Sequence, residues 1–460
     1  METKTLAQFV VNLTYEDIGQ ETLEMVKLCV LDWFACCIRG SVEKPSQILQ
    51  EVLQEEVSAE RQSMVFGAQP YHTSALFAAL SNGLYSHALD MDDVHKASYT
   101  HLGVGVIPAA LAVAEKVGAS GRELIVAIVA GYEIMARVAE SVLPDSYTYW
   151  HLTSTAGTFG AAVAAGKLFK LNVQQMIYAM GSAGSQAAGL FEFLRDGANS
   201  KTLHAGKANF NGLLSAMLSQ KGFTAAEKIL EGDKGFCKAM TPTPRIEMLT
   251  KGLGEGFEID ANSFKPYACC RWVHGAIGGA LELKAKHEIA VNQIKSVQLK
   301  VHPTAIEVTD NSDPRTIYGC KFSLQYCVAI ALLESRAGVD QFTEELMNNA
   351  EVRGLMALVT TQAETIVDAE GKTGVNNTEV IIEMQDGVMY STIIPYPLGD
   401  PENPMSFADM EEKFRSLVES VYTEDTMKQI LQFCENLETW DNIGSRLAAL
   451  LIPQSVDSCV

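Results

Sequence analysis

Apolar residues recur at helical spacing through most of the first 260 positions, as they do where helices bury one face. Leu23, Val26, Val30, Leu31, Phe34 and Ile38 form one such stripe. Thr14-Tyr15-Glu16-Asp17 ahead of it has the form of a capping box, and Gly40 supplies a stop. Residues 73–89 repeat the pattern through Leu76, Leu80, Leu84 and His87. Pro108 suits the first turn of a helix running to about Val117, since the first-turn N–H groups have no partner to lose. Gly121 to about Val142 predicts a further helix, ended before Pro144. The stretches 155–170 and 178–189 are rich in Ala, Gly and Ser, which lets helix backbones approach closely.

The pattern changes near residue 260. Val297, Leu299 and Val301 alternate with polar residues, as in a half-buried strand. Thr378–Met384 and Val388–Ile394 flank Asp386-Gly387, a hairpin signal. Helical patterns lie between them at 273–287, 322–335 and 342–358. After Pro395, Pro397, Pro401 and Pro404, helical periodicity resumes behind Ser406-x-x-Asp409. The expected fold is therefore mostly α. Residues 1–265 and 401–460 would form a large all-α domain built from both chain ends, and 266–400 a smaller inserted α+β domain.

Composition narrows the function. The 460 residues are 47% hydrophobic, which excludes a wholly disordered chain. The formal charge of −21 argues against nucleic acid or an anionic membrane as partner. Ten cysteines include the adjacent pairs Cys36-Cys37 and Cys269-Cys270 but no C-x-x-C, which points to reduced thiols. No signal-peptide pattern and no long apolar run is visible, so a cytoplasmic location is expected.

Four segments concentrate reactive side chains. His87 to His95, followed by His101, contains Asp90, Asp92 and Asp93. Asp90, Asp93, His95 and His101 admit a metal reading, but no recognised ligand spacing supports it. An acid/base reading pairs a carboxylate with a histidine, and solvated acids at a helix end are the third reading. His151 opens an Ala/Gly-rich helix, where the dipole disfavours imidazolium and favours a nearby anion. Arg195 to Lys207 places Lys201, His204 and Lys207 three apart, on one broad helical face. Lys265 to His274 contains Arg271 and Cys269. Cys269 reads as a packing residue more readily than as a nucleophile. Lys321 and Tyr326 follow further on. No nucleotide-binding or nucleophile-elbow motif occurs. Histidines, lysines and carboxylates without a cofactor motif suit proton transfer on a small carboxylate.

These segments, in this order, resemble the MmgE/PrpD family, which includes 2-methylcitrate dehydratases, cis-aconitate decarboxylases and iminodisuccinate epimerases. The matching stretches are His87–Asp93 with His101, the His151 segment, 196–206, 222–232, Lys265–His274, Phe322–Tyr326 and Asn403-Pro404-Met405-Ser406. The resemblance implies an all-α domain with an α+β lid and a homodimer. It also implies an inter-domain site for a small polycarboxylate, with no metal and no organic cofactor. It assigns Asp90, His101 and His151 as catalytic groups. Lys201, His204, Lys207, Lys265, Arg271 and Tyr326 are expected to bind substrate. In the decarboxylase branch a threonine follows the Asp-Asp pair; Val94 stands there, and Leu102 replaces a frequent proline after His101. The expected activity is a cofactor-independent lyase, either dehydratase or decarboxylase. A dicarboxylate epimerase and an inactive family member are the alternatives.

Overall fold

The computed structural model describes residues 1–54, 61–366 and 377–451. They divide into two compact units, one of 1–88, 92–262 and 407–460, the other of 89–91 and 263–406. The mostly α expectation holds.

The first unit is helical. Its main elements are α1 (Gln20–Gly40), α2 (Ala75–Ser86), α3 (Leu102–Val117), α4 (Gly121–Glu140), α5 (Leu152–Leu168), α6 (Val173–Gly184) and α7 (Ser200–Gln220). A short hairpin of β1 (Ser63–Val65) and β2 (Tyr71–Thr73), not anticipated from the sequence, precedes α2. The Thr14 capping box does form, but it closes a single 3-10 turn at Tyr15–Asp17, and α1 starts later at Gln20. Helix α5 is buried along almost its whole length and packs against α3, α4 and α7. Its small residues are what permit this. A Cβ on Gly212 of α7 would lie 2.6 Å from both Ala161 Cβ and Thr158 O of α5. Any side chain there would force these two helices apart.

Pro108 sits inside α3 rather than in its first turn. Proline has no N–H, so the carbonyl four residues back, that of Val104, loses its helical partner. Asn209 of α7 replaces it. Its Nδ2 donates to Val104 O at 2.7 Å, and its Oδ1 accepts from the Ala109 N–H at 3.0 Å. All these groups are buried.

The second unit contains α8 (His274–His287), α9 (Leu324–Glu334) and a four-stranded sheet. Its strands β3 (Ile294–Val301), β4 (Val359–Ala363), β5 (Thr378–Met384) and β6 (Met389–Ile394) lie in the order β4-β3-β5-β6. β3 and β4 run parallel, and the other two pairings are antiparallel. The Asp386-Gly387 turn joins β5 to β6, with Gly387 at φ 87°, a conformation that favours glycine. The single helix expected over 342–358 is two short ones, Glu344–Met347 and Ala350–Met356. Asn349 interrupts it by capping the second, accepting from the Glu351 and Val352 N–H groups.

The chain then rejoins the first unit through α10 (Phe407–Val418), which packs on α1. Lys413 of α10 forms a buried ion pair with Asp32 of α1.

Two predictions follow from this packing. Asn209→Ala leaves Val104 O and Ala109 N–H buried without partners, at about 1–3 kcal/mol for each. The same change in a Pro108→Ala background should cost clearly less, because residue 108 regains its own donor. Equal losses in a denaturation double-mutant cycle would show that Asn209 does not repair the proline break. The other concerns Glu115 in the last turn of α3, whose Oε2 accepts from Met64 N–H of β1 at 3.1 Å. Burial pushes its carboxyl up from 4.5 to about 8. The folded chain keeps this proton between those values and the unfolded chain does not, so the group's contribution to stability falls as pH rises towards 8. Glu115→Gln should therefore gain in Tm over the parent at pH 8 and not at pH 4.5. A constant difference across that range would contradict the buried neutral acid.

Candidate active site

Four histidines of the first unit meet because each stands at or near a helix end. His87 caps the C-terminus of α2, His101 is the N-cap of α3, and His151 is the N-cap of α5. His204 lies near the start of α7, close after Lys201. Backbone contacts fix two of these positions. The His101 N–H donates to Thr153 Oγ1 at 3.1 Å, and the His151 N–H to Gly189 O at 3.0 Å.

The His87 ring links the others. It lies edge-on to His101 with centroids 4.9 Å apart, and stacks on His151 at 5.7 Å and 12°. His151 in turn faces His204, with their Nδ1 atoms 3.1 Å apart. Phe191 and Phe193 pack on the His151 ring, and Phe193 also on His204. All but His204 are buried, as is Lys201; His204 is partly exposed.

Asp92 organises one side of the group. Its Oδ2 lies 2.8 Å from His87 Nδ1 and 3.0 Å from His101 Nδ1. Burial alone would raise this carboxyl. The charges and hydrogen bonds of the two imidazoles outweigh burial and hold it well below the usual range. An ionised Asp92 keeps the proton of each ring on Nδ1, which leaves Nε2 basic. Among the described residues, His87 Nε2 makes no hydrogen bond.

On the other side the rings are kept neutral. Burial, then His204, His87, Lys201 and His101, push His151 well below its ordinary value. Burial, His87 and Lys201 bring His204 down to about 4. Two neutral rings joined through their Nδ1 atoms share one donor and one acceptor. One therefore has a bare Nε2 and the other an Nε2–H. The pair carries a base and an acid together, beside a lysine and at helix N-termini that favour an anion.

Lys207 lies on another side of α7, and Asp90, Lys265, Arg271 and Tyr326 belong to the second unit. A step of three along a helix turns the side chain by about 300°, so Lys207 points roughly 120° away from Lys201. It is exposed, donating to Asn211 Oδ1 at 3.2 Å and lying over the Phe210 ring. In the second unit, Asp90 has a left-handed backbone at φ 57°. The Lys265 ammonium donates at 3.0 Å to both its carbonyl oxygen and its Oδ1. Asp92, which was not among the expected site residues, contacts His87 and His101. Arg271 is buried and bonded to Asp400, to the carbonyls of Phe264, Pro397 and Leu398, and to His274 Nδ1. Tyr326 is a core residue whose hydroxyl donates to Gln341 O at 2.7 Å. His274 Nε2 faces the Cys269 carbonyl oxygen rather than its thiol.

Sequence reasoning missed His87 and Asp92 as site residues. The signal was present: a helix that ends at His87 folds the chain back, and brings a carboxylate five residues on to that ring. Two groups among the described residues have donors close enough for a metal ion. They are His87, Asp92 and His101, and separately His95, Glu140 and Glu258.

Comparison with known proteins agrees along the chain. The family model of the MmgE/PrpD N-terminal domain matches residues 4–249, and that of the MmgE/PrpD C-terminal domain residues 267–439. The chain is 26% identical to a cis-aconitate decarboxylase of Aspergillus terreus over 476 residues, covering 98% of this chain and 96% of that protein. A cis-aconitate decarboxylase-like protein, oryM, of Aspergillus oryzae is also 26% identical, with 97% of each covered. The cis-aconitate decarboxylase of Homo sapiens is 24% identical, covering 95% of this chain and 92% of that protein.

The electrostatics can be checked ring by ring. The His204 proton resonances should titrate near pH 4 in NMR. Lys201→Ala should move that midpoint upward, because it removes one of the charges that depress it. A midpoint near 6.5 in the parent would mean that the ring is not in this environment.

Proposed function

We propose that this chain, which belongs to the MmgE/PrpD family, is a lyase of small di- or tricarboxylates whose chemistry runs on its own side chains. The observation that carries the reading is the His151–His204 pair beside Lys201. It brings a basic ring nitrogen, an N–H donor and a cation together in one group. Cis-aconitate is the first substrate to consider, since relatives aligned over nearly the whole chain are named as its decarboxylases.

In a decarboxylation, the bond from carbon to one carboxylate breaks and CO₂ leaves. The electron pair spreads into the remaining conjugated carboxylate, and an imidazolium returns a proton to carbon. In a dehydration, a bare imidazole nitrogen takes the proton α to a carboxylate. The β-hydroxyl then leaves as water with a proton from the acid partner. Both pass through negative charge on a carboxylate, which a preorganised cation such as Lys201 stabilises. A bound polyanion also raises the pKa of nearby imidazoles, so the substrate itself charges the ring that acts as acid.

We assign proton transfer to His151 and His101, with Asp92 setting the tautomer of His101, and carboxylate binding to Lys201 and His204. The family resemblance adds Asp90 as an acid/base group and Lys265 as a further carboxylate-binding residue. A buried Val94 where decarboxylases carry threonine removes a hydroxyl from this loop, which is a reason to test dehydration alongside.

The test is turnover of cis-aconitate, citrate, 2-methylcitrate and an iminodisuccinate-like dicarboxylate in D₂O, followed by NMR. The expected result is loss of CO₂ or water from one of them. His101→Ala and His151→Ala should each lower that turnover by about 10²-fold or more with the thermal transition retained. Lys201→Ala should weaken substrate binding by about 1.5–3 kcal/mol. Deuterium wash-in without elimination would establish an epimerase instead. Full activity of both histidine variants would overturn the assignment.

A further inference from the structure

A second polar cluster lies in the first unit, outside the histidine group. His95 is fully buried in the loop between Asp92 and His101. Its N–H pairs with Thr100 O at 2.8 Å, and its Nδ1 meets Ser98 Oγ at 2.9 Å. That hydroxyl is itself 2.6 Å from Thr100 Oγ1. The ring is therefore oriented from its Nδ1 side. Its Nε2 makes no hydrogen bond among the described residues and lies 3.6 Å from Glu258 Oε2. Glu140, the last residue of α4, places a buried Oε1 there that also makes no hydrogen bond.

Several charged groups surround this point. Glu133 takes the Arg137 Nε–H at 2.6 Å and the Glu258 backbone N–H at 2.8 Å. Arg137 reaches Glu258 only at 3.5 Å. With Glu133 and Arg137 paired, the buried Glu140 and the partly exposed Glu258 stand beside the His95 imidazole. Burial, Glu140 and Glu133 push Glu258 up to about 7. Burial raises Glu140 despite Arg137, Arg245 and Lys251.

We propose that His95, Glu140 and Glu258 bind one divalent transition-metal ion of the zinc or manganese type, which braces the loop carrying Asp92 and His101. One donor atom from each residue lies within 4.8 Å of the others. Donors around a tetrahedral ion are about 3.4 Å apart, so side-chain rotation has to draw the three groups together to close the set. One imidazole and two carboxylates are a donor set that suits these metals. The Ser98 contact at Nδ1 is the outer support that a metal-bound histidine usually has. The role is structural: the ion would join the 92–101 loop to the end of α4 and to the turn at Glu258. No spacing motif reveals it, because the three ligands come from distant parts of the sequence.

The test uses full-length protein stripped with a chelator, dialysed against Zn²⁺, desalted and analysed for metal content. One equivalent should remain, and it should raise Tm. Glu140→Gln and Glu258→Gln keep side-chain size and should each weaken Zn²⁺ binding at least tenfold while leaving the metal-free Tm close to the parent's. His95→Gln should do the same. If the parent retains no zinc, or retains it equally in all three variants, the proposal fails. It fails too if Asp92→Asn alone releases the ion, which would place the ion at the other triad. A rise in the metal-free Tm of Glu258→Gln with no zinc bound to the parent would show that the two carboxylates share a proton instead.

Discussion

The histidine group depends on one side-chain amide that touches none of its members. Pro108 opens a gap in the hydrogen bonding of α3, and Asn209 closes it from α7. The two helices joined in this way carry His101 at one N-terminus and Lys201 and His204 near the other. A proline is costly inside a helix because it orphans a carbonyl. Here the orphan is used as a joint: the Asn209 amide donates to Val104 O and accepts from Ala109 at once. The relative rotation and spacing of α3 and α7 follow from that bidentate contact together with the small residues on α5. The ring positions follow in turn.

Within the group, burial decides the protonation states. A chain of charge −21 would be expected to favour imidazolium. Away from water, however, desolvation is the largest influence on His151 and His204, and neighbouring cations add to it. Asp92 is spent between His87 and His101. The result is two chemically different halves. In one, a carboxylate sets tautomers. In the other, two neutral rings share a proton next to a lysine. A polyanionic ligand supplies the charge that the second half lacks.

Periodicity made much of the architecture readable. The stripe from Leu23 to Ile38, the helix after Gly121 and the strands around Asp386-Gly387 all appear close to where their patterns place them. Errors arose where a residue's partner was remote. Pro108 looked like a helix start because Asn209, about a hundred residues away, is invisible to local spacing. The run at 342–358 looked continuous because capping by Asn349 competes with helical periodicity. At the site, His101, His151, Lys201 and His204 were identified from composition and resemblance, and they lie in one unit. Lys207 was grouped with them on a spacing of three, which drifts too far round a helix. The bonds that tie Tyr326 to Gln341 and Arg271 to Asp400 were not legible, because these partners are remote in sequence or in another element. Asp92 was not legible because a left-handed residue at Asp90 reverses the chain, and sequence does not show which of three nearby acids then faces which partner.

The Asp32–Lys413 pair has a consequence for how the chain is made. Asp32 lies on the first long helix and emerges early from the ribosome, whereas its counter-ion comes about 380 residues later. Until α10 arrives, burying Asp32 would place an unmatched charge in a dry interior, a penalty of several kcal/mol. Hydration of that carboxylate therefore opposes closure of α1 against its neighbours throughout most of synthesis. The nascent first unit is held loose, with its surface open to chaperones, while the second unit between the two residues is translated and free to settle on its own. Consolidation of the helical unit is thereby deferred to the last stage of translation.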